Sequence, residues 1–180
     1  MLKPPRSLKA RALQWLAQRE HSRTELRCKL LPHAVTEAAA AAAVTAAAAQ
    51  ADATPAQREP VELKPAARVD ALLDWLEAHQ YLSQERFVES RVHARAARFG
   101  NLRIRQELKQ HQVALSTDAA RELAETELKR ARAVRERKFA EPPASATERA
   151  RQGRFLAGRG FSSEVIQRVL REAARPAGDG

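Results

Sequence analysis

Four times along the chain the same short joint recurs: a Leu, two variable residues, an Arg or His, one further residue, an apolar or aromatic-like position, and then a Ser. The four are Leu16-Ala-Gln-Arg19-Glu-His21-Ser22, Leu76-Glu-Ala-His79-Gln-Tyr81-Leu-Ser83, Leu108-Lys-Gln-His111-Gln-Val113-Ala-Leu-Ser116 and Leu156-Ala-Gly-Arg159-Gly-Phe161-Ser162. Each reads as one helix ending and the next beginning. The cationic or ionisable residue sits in a last turn, facing the negative end of the helix dipole. The apolar residue folds back as a staple, and the Ser hydroxyl caps the following helix. A chain punctuated in this way is confined to tandem helical units, and no segment shows the sustained alternation of a strand. His79 and His111 lie inside joints and are read as structural rather than catalytic.

Between the joints, helix signals dominate. Ser7 can cap a first helix carrying Leu8, Ala12, Leu13, Trp15 and Leu16. Ser22-Arg-Thr-Glu25 is a capping box opening a second helix, with Leu26 and Leu30 on one face and a stop expected before Pro32. Residues 34–66 read as a low-complexity insertion, two alanine runs followed by Pro55, Pro60 and Pro65, partly helical at most because alanine offers little surface to dock. Patterning resumes near Val69, and further helices are expected at 84–98, 102–112, 117–126, up to 139, 146–158 and 163–174. No Gly or Pro separates 117 from 139, so that stretch also reads as one long bent helix. Ser145-Ala-Thr-Glu148 is a second capping box.

Aromatics make up 4% of the residues, too few for one large core of big side chains, which suits small units packing on their neighbours. The formal net charge of +10 favours a polyanionic partner, nucleic acid before an anionic membrane surface. No apolar run reaches the roughly 20 residues of a membrane span, and the N-terminus lacks the apolar run of a signal peptide. A cytoplasmic protein is expected. Cys28 is the single cysteine, and the five His form no H-x-x-x-H pair, so neither a disulfide nor a zinc site is expected. Gly158-Arg-Gly160 lacks the third glycine and the preceding strand of a phosphate loop. The expectation is a non-enzymatic protein with no catalytic residue, cofactor or metal.

Two blocks resemble a known family. Tyr81-Leu-Ser-Gln-Glu-Arg-Phe-Val-Glu-Ser-Arg-Val-His-Ala-Arg95 followed by Phe99-Gly-Asn-Leu-Arg-Ile-Arg-Gln-Glu-Leu108 resembles the central signature of RecX proteins. Residues Ala12–Leu16 with His21–Leu30, and Gly160–Ser162 with Val165 and Ile166, resemble that family's opening and closing repeats. The resemblance implies an all-α fold of about three tandem three-helix repeats in an elongated, curved molecule. The repeats are placed at 7–33 with 67–82, at 83–127 and at 128–175, the first interrupted by the insertion at 34–66. It also implies binding to the RecA–DNA filament as a negative modulator of RecA. A monomer is expected, with DNA as a weaker partner of its own. Glycine is common in the family at the joints where this chain has Gln80 and Gln112, and a non-Gly residue in a left-handed cap costs energy.

Positive charge is concentrated. Residues 86–109 hold seven cations against two carboxylates, and 129–138 hold six against one. The candidate partner- and DNA-binding residues are Arg86, Arg91, Arg95, Arg98, Arg103, Arg105 and Lys109, with Arg132 and Arg135. At 100° per residue from Phe87, Arg91, Arg95 and Arg98 fall at about 40°, 80° and 20°, in the same sector as the apolar residues of their helix. Two accounts stand. The arginine stems pack and their heads pair with a carboxylate of the next helix, or the three form a stripe facing a partner. An alternative function is direct DNA binding, with helices 84–98 and 102–112 acting like a helix-turn-helix. A membrane-surface role is disfavoured because the apolar faces are claimed by the repeats.

Overall fold

The computed structural model describes residues 6–49 and 64–174, and among them nine helices and no strand. They are α1 (Leu8–Leu16), α2 (Arg23–Ala49), α3 (Pro65–Ala78), α4 (Gln84–Ala96), α5 (Asn101–Gln110), α6 (Thr117–Glu125), α7 (Glu127–Lys138), α8 (Ala146–Gly158) and α9 (Ser163–Ala173). The linker expected around Pro55 and Pro60 lies outside the described residues. The chain divides into two compact units, Met1–Phe87 and Val88–Gly180.

The capping signals act where the sequence places them. The hydroxyls of Ser7, Ser22, Ser83, Ser116, Ser145 and Ser162 each accept a backbone N–H three residues on, at 3.1–3.4 Å. Three of the four joints share one backbone form. The N–H groups of Tyr81, Val113 and Phe161 reach back to the carbonyls of Leu76, Leu108 and Leu156, the long bond of a Schellman cap. The residue before each is left-handed, with φ of 59° at Gln80, 58° at Gln112 and 80° at Gly160. The first joint departs from this, since Glu20 is not left-handed. A left-handed L-residue costs roughly 1–2 kcal/mol, part of which Gly returns as chain entropy on unfolding. Gln80→Gly and Gln112→Gly are therefore each expected to stabilise the fold by about 0.5–1 kcal/mol. Urea unfolding followed by far-ultraviolet circular dichroism checks this, and a lower midpoint in either variant would show that the glutamine side chain supports its joint.

In the first unit the expected stop before Pro32 is wrong, because α2 runs through Pro32 and into the alanine run. An interior proline loses one helix bond and crowds the preceding turn, at about 3 kcal/mol. Packing offsets this. Leu26, Leu30 and Ala34 form a fully buried stripe at a spacing of four, on both sides of Pro32, in one core with Val69, Leu73 and Leu76 of α3 and Leu8 and Ala12 of α1. Ion pairs hold α2 antiparallel to α3: Arg23 to Asp74 and Glu77 at 2.6 Å each, Arg27 to Asp70 at 2.7 Å, and Arg68 to Glu37 at 3.2 Å. Beneath the first joint, Glu25 gathers Arg19, His21 and Lys29. Burial alone would push its carboxyl up, but the hydrogen bond from Arg19 and the surrounding positive charge outweigh that and hold it at about 2.

In the second unit, Ala131, Val134, Leu156, Phe161 and Val169 form a core of α7, α8 and α9. Ile104, Leu108, Val113 and Leu123 are buried on α5, its joint and α6. α6 and α7 meet at Thr126, which keeps helical backbone angles, so 117–138 is a nearly continuous helical run broken at one residue.

Candidate functional site

The turn from α4 into α5 is built by backbone contacts that side chains would prevent. Gly100 N donates to Arg159 O at 2.9 Å and Leu102 N to Gly160 O at 3.0 Å, so the start of α5 is capped by the α8–α9 joint. A Cβ on Gly100 would lie 2.3 Å from Gly160 O, and one on Gly160 would lie 2.5 Å from Arg103 Cβ. The buried Glu127 carboxylate accepts the next N–H, that of Asn101, at 2.9 Å. Beside it the Arg130 guanidinium donates to Phe99 O and Leu123 O at 2.8 Å, to Ala96 O at 3.3 Å and to Asn101 Oδ1. Burial pulls the Arg130 pKa below its ordinary value, and the Glu127 charge opposes this.

This docking brings Arg159 to the α4–α5 turn and gathers four guanidiniums around the half-buried ring of Phe99. Arg103 lies 5.1 Å from the ring centroid, Arg95 5.4 Å, Arg159 5.7 Å and Arg98 5.9 Å. The electron-rich ring face attracts each of them. Among the described residues the one carboxylate paired with these four is Glu107, 2.8 Å from Arg95 Nε and 3.7 Å from Arg103 Nε. Arg91 donates toward His111 Nε2 at 3.2 Å, and with Arg95 and Arg103 it lines a cleft of about 300 Å³. Arg98 and Arg159 share a second cleft of about 210 Å³ with Arg137, Lys138 and Phe155. So many planar cations against one carboxylate favour an incoming anion with several oxygens, a run of phosphates or a carboxylate cluster.

The sequence-predicted residues separate by environment. Arg95, Arg98 and Arg103 come together around the ring, with Arg91 in the adjoining cleft, and Arg95 follows the first account given for it, its head paired with Glu107 of the next helix. Arg86 is held elsewhere, donating to Glu20 at 2.7 Å and to the Gln80 and Tyr81 carbonyls, where it ties two joints of the first unit. Arg135 is buried, bonded to Gln152 Oε1 at 3.0 Å and Glu141 O at 2.8 Å. Arg132 pairs with Glu172 at 2.8 Å. Arg105 and Lys109 are exposed and line a separate cleft with Leu108 and Val113. Arg159 and Phe99 were not foreseen as site residues, and Arg137 and Lys138 were read only as members of the basic run 129–138. Arg159 was visible only as a joint residue, and its arrival depends on a contact 60 residues away in sequence. His79 is spent locally, its Nδ1 on Trp75 O at 2.9 Å and its ring stacked on Trp75.

Among the described residues no group of three or more His, Cys, Asp or Glu could hold a metal ion, and no helix is long and apolar enough to cross a membrane. Three family models match the chain: the first three-helix domain of RecX over residues 9–45, the second over 83–117 and the third over 125–170. The chain is 43% identical to the regulatory protein RecX of Ralstonia pickettii over 178 residues, 98% of this chain and 94% of that one. It is 46% identical to the regulatory protein RecX of Leptothrix cholodnii, over 95% of this chain and 92% of that one. A more distant relative, the regulatory protein RecX of Neisseria gonorrhoeae, is 29% identical over 96% of this chain.

Proposed function

The chain belongs to the RecX family of regulatory proteins, and on that premise we propose that it is a non-enzymatic modulator of the RecA recombinase. It inhibits by docking, as a cytoplasmic monomer, on the RecA–DNA filament, and so regulates DNA repair, recombination and the SOS response. Its repeats are 7–33 with 67–82, 83–127 and 128–175. The observation that carries this reading is the ring of arginines around Phe99, which suits the phosphates and carboxylates that a nucleoprotein filament presents together.

The test is titration of the protein onto recombinase filaments and onto naked DNA at two salt concentrations. The filament reading expects inhibition of filament ATP hydrolysis at concentrations where naked DNA is scarcely bound. Equal binding to both would instead favour the second reading, a direct DNA-binding protein, for which the tight α4–α5 turn is the supporting feature. Arg91→Ala, Arg95→Ala and Arg98→Ala are expected to weaken inhibition more than Arg121→Ala, whose exposed guanidinium pairs only with Asp118 among the described residues. Each well-made charge-assisted hydrogen bond is worth roughly 1.5–3 kcal/mol. Where one of these arginines neutralises a phosphate, its removal also flattens the salt dependence by about one unit of slope. Arg98→Ala is the cleanest of the three, since Arg95 ties α4 to Glu107 of α5 and its replacement also affects the fold. Full inhibition by a triple variant with unchanged thermal unfolding would retire the cluster as a binding site.

A further inference from the structure

The α5–α6 joint differs from its fellows in length. Ala114 and Leu115 stand between the staple Val113 and the capping Ser116, where Phe161 meets Ser162 directly in the last joint. At this longer joint lies a cleft of about 420 Å³, walled by Leu108, Val113, Ala114, Leu115 and Ala120. Two alanines where larger side chains would fill the space leave the apolar wall open. Arg105 and Lys109, one turn apart on α5, complete the lining. Both are exposed, and among the described residues neither has a carboxylate partner and no acidic residue lines the cleft.

The two chemistries point to one kind of occupant. A nucleic-acid backbone would satisfy Arg105 and Lys109 but leave the aliphatic wall wet. A neutral apolar segment would fill the wall but forgo both charges. A polypeptide with a bulky apolar anchor flanked by Asp or Glu satisfies both. We propose that the α5–α6 cleft is a docking site for an acidic protein segment carrying an apolar anchor. None of the arginines around Phe99 lines it, and the site does not depend on the filament reading above.

The probe is a dye-labelled synthetic peptide with Leu and Phe at i and i+4 among Asp and Glu residues, titrated onto the full chain by fluorescence anisotropy. Two controls accompany it, one with the acids changed to Gln and one with Leu and Phe changed to Gly. Binding at least tenfold tighter than either control is expected. Ala120→Leu fills the cleft without changing charge and is expected to weaken the peptide tenfold or more while leaving binding of a single-stranded oligonucleotide unchanged. The pair Arg105→Gln and Lys109→Gln should lose the peptide's salt dependence. Should Ala120→Leu disturb the fold, Ala114→Glu at an exposed joint position sets beside Arg105 and Lys109 a charge of the peptide's own sign, and is expected to weaken the acidic peptide tenfold or more and its Gln control far less. Peptide binding no tighter than the controls, or unchanged in a folded Ala120→Leu chain, overturns the proposal. Loss of the oligonucleotide together with the peptide in that variant overturns it too, by giving the cleft to nucleic acid.

Discussion

Gly100→Ala is expected to destabilise the second unit by about 3 kcal/mol, at the upper end of what overpacking costs. The added Cβ would sit 2.3 Å from both Gly160 O and Phe161 N, and these are backbone atoms that no rotamer change can move aside. Relief requires pulling α5 away from the α8–α9 joint, which breaks the Gly100 N–Arg159 O and Leu102 N–Gly160 O bonds together. For a unit of this size the change corresponds to a fall in Tm of roughly 12 °C or more. Gly158→Ala is the matched control. A Cβ there meets nothing within 4 Å, and the residue is the last of α8, so the same substitution is expected to leave Tm unchanged or raise it slightly. Scanning calorimetry on the two variants checks the pair, and equal Tm values would mean that the close approach of these two backbones is not part of the fold. Because the same approach carries Arg159 to Phe99, Gly100→Ala is also expected to scatter the guanidinium cluster.

Arg130→Met is expected to cost about 3 kcal/mol, close to what removing one member of a buried charged network costs. Methionine replaces the stem but none of the donors. The substitution leaves the Ala96, Phe99 and Leu123 carbonyls and the Asn101 side chain without the guanidinium that now serves all four, and removes a positive charge that interacts with the buried Glu127 carboxylate. Arg130→Lys is expected to recover little, since one ammonium cannot span acceptors on α4, the Phe99 turn and the end of α6 at once. Urea unfolding of the two variants measures this. A lysine variant as stable as the parent would reduce Arg130 to a point charge beside Glu127. An exposed cation of the same helix, Lys129, provides the comparison, and Lys129→Met is expected to move the midpoint by no more than about 0.5 kcal/mol.

The joints were legible because their energetics are local. A Ser hydroxyl reaching an N–H three residues on, a staple reaching back five, and a left-handed residue between them all lie within one stretch of chain. Helix positions from α4 to α9 followed from them to within about two residues, because caps set where a helix starts and staples where it stops. The helical phase of Arg91, Arg95 and Arg98 was readable for the same reason, since one helix carries all three.

Pro32, Arg130, Arg135 and Arg159 were decided elsewhere. A proline stop is a sound local rule, but Leu26, Leu30 and Ala34 bury against α3, some 40 residues on in sequence, and burying large aliphatic side chains at about 1.5–3 kcal/mol each outweighs one missing helix bond. By composition, Arg130 and Arg135 belong to a solvated basic run. Only the packing of α7 against its neighbours turns them inward, onto carbonyls whose positions no local pattern encodes. Arg159 reads as a joint cation, and it joins the site because two glycines let distant backbones touch. The sequence by itself therefore determined the joints, the helices from α4 to α9 and the family. The tertiary structure alone decided which cations are spent inside the fold and which gather around Phe99, because that depends on long-range burial, not on free energies confined to a few consecutive residues.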